Sequence, residues 1–84
     1  MDAEARLLAQ VIGEYIVSVR CEKHIRQQEL AQAVQITQRG LRKIEKGEVD
    51  VSAYLLRRIL LALGEDVTIF WEKVEKNMEM RKEE

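Results

Sequence analysis

The stretch Gln27 to Gly47, QQELAQAVQITQRGLRKIEKG, leaves this chain few ways to fold. Leu30, Ala31 and Val34 recur at helical spacing, and Ile36, Leu41 and Ile44 mark a second apolar face directly behind the first. Thr37 stands where a hydroxyl can accept an orphan backbone N–H of the following turn, so the second helix is expected to begin there. Gly47 can stop it by adopting the positive φ of a helix C-terminus. Only about three residues are left for the connection, so the two helices must cross at a steep angle.

The rest of the chain reads as helix too. Pro is absent from the 84 residues and Gly occurs four times, which favours an all-α chain without flexible linkers. Five helices are expected in one domain spanning 1–84. The first runs from about Ala3 to Cys21 behind an Asp2 cap, with Leu7, Leu8, Val11, Ile12, Tyr15, Ile16 and Val19 on its apolar face. Gly13 reads as its weak point, because Gly inside a helix costs about 1 kcal/mol relative to Ala. The second and third span about Gln27–Val34 and Gln38–Glu45. The fourth is expected from Val51 to Leu63, capped by Asp50, with Leu55, Leu56, Ile59, Leu60 and Leu63 in the core and Gly64 as its stop. The fifth, capped by Asp66 or Thr68, reaches Met80, and Arg81 to Glu84 are expected to fray. A short strand over VTIFW is the alternative for its start.

Net charge is −1, yet it is unevenly spread. Between residues 20 and 47, Arg20, Lys23, Arg26, Arg39, Arg42, Lys43 and Lys46 face only Glu22, Glu29 and Glu45, a balance of +4. The flanking segments are acidic. Positive charge thus concentrates on the paired short helices, where a polyanion would dock.

Two short helices joined so tightly make a helix-turn-helix, whose second helix can enter a DNA major groove. With IGEYIVSVR before it and LLRRILLALG after it, the stretch resembles the lambda-repressor-like (Cro/cI-type, XRE) regulators over about Ile12 to Phe70. That resemblance implies a compact five-helix DNA-binding fold whose reading unit is about 27–47. It implies that Arg20 and Glu45 form a structural pair tying helix 1 to the end of helix 3. It implies that Gln27 meets a phosphate, that Gln38, Arg39 and Arg42 face base edges, and that Lys43 and Lys46 meet phosphates. Thr37 would cap, contact phosphate, or both. The chain departs from the family pattern at Gln35, where the turn often has Gly, and at Arg26, which replaces a Ser cap but adds a phosphate-reaching charge. Gly40 and Val51 are further departures.

Nothing in the chain suggests an enzyme, a cofactor or a metal. His24 has no second His, and Cys21 has no His–acid constellation beside it. One cysteine cannot form an internal disulfide, which fits a reducing, cytoplasmic setting. No apolar run long enough for a membrane span and no basic signal region is visible. In the C-terminal helix, about 67–80, Val67, Phe70, Trp71, Val74 and Met78 fall on one face; Phe70, Trp71, Val74 and Met78 are expected to form a homodimer interface, the alternative being that Phe70 and Trp71 close a small core. The function expected is a dimeric transcriptional regulator, most simply a repressor on a palindromic operator. The alternative is an antitoxin-like module that also binds a partner protein such as a toxin.

Overall fold

Asp2 sets the start of the chain's structure: its Oδ1 accepts from the Ala5 backbone N–H at 2.8 Å and caps the first helix. The computed structural model describes residues 1–82 and contains five helices, with no strand among the described residues. They are α1 (Ala3–Glu22), α2 (Gln27–Ala33), α3 (Gln38–Glu45), α4 (Ala53–Leu63) and α5 (Val67–Lys82). The all-α, five-helix reading holds. VTIFW is helical, because the Asp66 carboxylate accepts from the Ile69 N–H at 3.0 Å and fastens the first turn of α5.

Two helix boundaries differ from expectation. The cap of α4 is Ser52, not Asp50: Ser52 is extended, and its Oγ accepts from the Leu55 N–H at 3.1 Å. The helix therefore begins at Ala53, and Asp50 and Val51 remain in the loop. At the other end of the chain, Arg81 and Lys82 continue α5 instead of fraying. Arg81 pairs with Glu14 and Lys82 with Glu4, both on α1. Glu83 and Glu84 lie outside the described residues.

The core is one cluster to which every helix contributes. Ile12, Ile16 and Val19 of α1 meet Leu30 and Ala31 of α2 and Leu41 and Ile44 of α3. Leu56, Ile59, Leu60 and Leu63 of α4 close it with Phe70, Val74 and Met78 of α5. Phe70 is wholly buried and packs edge-on against Tyr15, with ring centroids 4.8 Å apart. Leu55 and Ile36 are only partly buried at its margin.

Gly13 is not a weak point. A Cβ there would lie 2.5 Å from the Glu45 carbonyl oxygen and 2.6 Å from that of Ile44. Glycine's helix cost is accepted because it lets α1 touch the C-terminal end of α3. Gly47, at φ +73°, serves the same seam, since a Cβ would meet Gln10 Cα at 2.7 Å. Helix α3 is thus seated directly on α1.

A polar clasp holds the α4–α5 turn. The Tyr15 hydroxyl donates to Glu65 Oε1 at 2.7 Å, and Lys23 Nζ reaches Glu65 Oε2 at 3.3 Å and also donates to the Leu63 carbonyl. Burial, reinforced by the hydrogen bond to Glu65, pushes the Tyr15 phenol up to about 12. The same bond, followed by the Lys23 contacts, holds Glu65 below the usual carboxylate range. Because the folded phenol titrates above the unfolded one, its contribution to stability is intact below the unfolded pKa of 10.0. It is lost as pH rises from there through about 12. In an alkaline absorbance titration of the folded protein, one tyrosine should ionise near 12. Tyr15→Phe should abolish that late step, and its survival in the variant would contradict the assignment.

Candidate nucleic-acid interface

The site begins with how α3 is anchored. Leu41 is wholly buried, and Ile44 and Glu45 are nearly so, on one side of the helix. That leaves Gln38, Arg39, Arg42, Lys43 and Lys46 on the exposed side. Thr37 Oγ1 caps the helix by accepting from the Gly40 N–H at 2.9 Å, which leaves its own hydroxyl proton free to donate. Before the cap, Gln35 turns the chain at φ +60°. This is the left-handed conformation that Gly would adopt at less cost. Arg58 of α4 reaches Gln35 Oε1 at 3.4 Å and stacks over the Tyr54 ring, so the turn is braced from α4.

A chain of hydrogen bonds runs from α1 to the first residue of α3. Arg20 Nε donates to Glu45 Oε2 at 2.8 Å, and its Nη2 to Oε1 at 3.1 Å. Glu45 Oε1 also accepts from Gln27 Nε2 at 2.8 Å. Gln27 Oε1 in turn accepts from Gln38 Nε2 at 3.2 Å. Arg20 completes its set on the Ile25 carbonyl at 3.0 Å. The Glu45 hydrogen bond, the largest influence, holds the Arg20 guanidinium above its ordinary range. The Arg20–Glu45 pair was expected from the resemblance, but its extension through Gln27 to Gln38 was not. Its only sign was that Gln27 and Gln38 each open one of two helices joined by a tight turn. Each glutamine keeps an unspent amide N–H, and Gln38 keeps its carbonyl oxygen, for an outside ligand.

Arg26 opens α2 with no side-chain cap of its own. Arg has no acceptor, so the start of α2 is secured by Glu29 reaching back to the Arg26 backbone N–H at 3.0 Å. The same Glu29 oxygen accepts from Arg26 Nε at 3.0 Å. The two contacts, the backbone one first, hold Glu29 below the usual carboxylate range. Arg26 is exposed but shares its charge with a neighbour. In contrast, Arg39, Arg42, Lys43 and Lys46 enter no ion pair among the described residues. Their four charges face solvent along one helix, unneutralised.

The stripe on α5 also needs correction. Phe70, Val74 and Met78 are 0–5% exposed within the chain's own core, so they are not available to a second molecule. Of the four residues expected at an interface, only Trp71 presents surface, at 36%. Three buried apolar side chains stabilise the fold itself, each by about 1.5–3 kcal/mol. No described helix is long and apolar enough to cross a membrane.

The fold is shared with known proteins. The helix-turn-helix family model matches residues 16–70. A crystal structure of the clp gene regulator ClgR from Corynebacterium glutamicum superposes with a TM-score of 0.82 at 28% identity, covering 89% of this chain and 80% of that one. A second structure of ClgR aligns with a TM-score of 0.78 at 30% identity, covering 84% and 92%. A sequence comparison against curated proteins returned no match. With its tightly joined α2 and α3, capped α3 and free cationic face, the chain belongs to the lambda-repressor-like helix-turn-helix family and is a DNA-binding transcriptional regulator.

Proposed function

We propose that the chain is a sequence-specific repressor that binds a palindromic operator as a homodimer. The unneutralised exposed face of α3 carries this reading, because four free cations on a single helix suit a groove walled by phosphates. Gln38, Arg39 and Arg42 read base edges: an amide can pair with adenine and a guanidinium with guanine. Gln27, held rigid by Glu45, sets the register on a phosphate, while Arg26, Thr37, Lys43 and Lys46 contact neighbouring phosphates. Binding as a dimer would place two α3 helices about 34 Å apart on one side of the duplex.

Selection of bound duplexes from a randomised pool tests the reading. The expected product is a two-fold symmetric motif with half-sites about 10 base pairs apart. A promoter carrying that motif should lose transcription in vitro when the protein is added. An asymmetric motif would count against the dimer, and increased transcription against repression.

A further inference from the structure

Glycine within a helix is disfavoured relative to alanine, so each one asks for a reason. Three of the four in this chain have theirs inside the fold. At Gly13 and Gly47 a Cβ would strike neighbouring atoms at 2.5 and 2.7 Å, and Gly64 ends α4 at φ +71°. Gly40 has no such reason. It lies within the eight residues of α3, and its backbone is not left-handed. Beyond its chain neighbours and the helix backbone, the only described atom within 4 Å of a Cβ built there is Thr37 Oγ1, at 3.2 Å. That atom belongs to a side chain of the same turn, and no described atom of another helix comes so close.

The gap opens on the surface assigned to DNA. Helical spacing points Arg39, Lys43 and Lys46 away from the buried Leu41 and sets Gly40 to one side, between Thr37 and Lys43. Thr37 Oγ1 accepts from the Gly40 N–H at 2.9 Å, so its own proton can be donated outward. Lys43 enters no ion pair among the described residues. A bare length of helix thus lies between a hydroxyl donor and a free ammonium. An α-helix with its side chains is about 10–12 Å across, and the major groove is about 12 Å wide. A side chain on the flank of α3 therefore decides how deep the helix sits.

We propose that Gly40 is the point of closest approach to DNA: the sugar–phosphate wall of the major groove closes on the bare flank of α3, with one phosphate between the Thr37 hydroxyl and the Lys43 ammonium. The proposal rests on the DNA reading above. What requires the glycine is then the ligand and not the fold. The wall is the occupant, and not a base, for two reasons. Both flanking groups are donors suited to a phosphate, and a flank of the helix faces the wall while its outermost residues face the groove floor.

Gly40→Ala and Gly40→Leu test this, because stability and affinity should move in opposite directions. Both variants should melt a few degrees above the wild type, since alanine and leucine favour helix over glycine. Both should bind the selected duplex more weakly, Gly40→Ala by about tenfold and Gly40→Leu by about a hundredfold, as the longer side chain holds the wall further off. The loss should extend over a panel of single-base variants of the duplex, with the salt dependence reduced by about one phosphate. Equal losses in the two variants would trace the effect to displacement of the Thr37 hydroxyl and overturn the proposal. So would a loss relieved by replacing one thymine with deoxyuridine, which would put a base methyl against Gly40. A wild type that binds its duplex with Gly40→Ala binding equally well refutes the Gly40 assignment alone, whereas a wild type that binds no duplex refutes the DNA reading itself.

Discussion

Glu45→Ala should destabilise the fold by roughly 3 kcal/mol, the lower end of what breaking a buried ion pair costs. Glu45 is 9% exposed and accepts three hydrogen bonds, two from Arg20 and one from Gln27. Its removal strands a guanidinium whose side chain is only 14% exposed, with the Ile25 carbonyl as its remaining partner. For a domain of this size the loss corresponds to a fall in Tm of about 12–24 °C. Arg20→Met with Glu45→Met should cost far less than Glu45→Ala, because the penalty comes from the uncompensated charge and not from the absence of a pair. Thermal melts of the three proteins decide the matter. A single variant within about 0.5 kcal/mol of wild type would show that the pair is idle, since that is the ordinary scatter of surface substitutions. The pair is best understood as a geometric device: it fixes Gln27 at the start of α2 and, through it, Gln38 at the start of α3.

Substitutions on α3 should separate reading from positioning. Gln38→Ala and Arg39→Ala should each cost about 1–3 kcal/mol against the preferred sequence and relax preference at one base position. Lys46→Ala should weaken all sequences to a similar extent and reduce the salt dependence by about one phosphate. Binding measured against a panel of single-base variants of the selected duplex gives the answer. Equal losses across the panel for all three proteins would refute the division. Far-ultraviolet circular dichroism of each variant establishes that the fold is intact.

The parts of this structure that repeat with the helix were legible in the sequence, and the parts that depend on what lies opposite were not. Leu30, Leu41 and Ile44 could be placed by periodicity, and the Thr37 cap by its hydroxyl at the right offset. Periodicity also grouped Phe70, Val74 and Met78, but it shows only that a face is apolar and not what covers it. Here α1 packs against it, and the surface left over is Trp71 with its neighbours across the α4–α5 groove. Gly13 was misread for a similar reason: its cost is local, while its purpose is a contact with α3 more than thirty residues away. Asp50 and Ser52 are both good caps, and only the extended backbone at Ser52 decides between them. The charge excess over residues 20–47 was visible, but which cations are free was not. Arg20, Lys23 and Arg26 are spent on Glu45, Glu65 and Glu29, and the four beyond Thr37 are not.

The central claim is that the free cations of α3 dock on a phosphate backbone, and the salt dependence of affinity tests it most directly. With about six to ten phosphate contacts across a two-copy complex, affinity for the selected duplex should fall roughly 10³–10⁵-fold between 50 and 200 mM salt. A gel-shift or anisotropy titration at those two concentrations measures this. An affinity that changes by less than about tenfold, below what even two or three displaced counterions would give, would contradict the account. So would failure to bind any duplex at the lower salt.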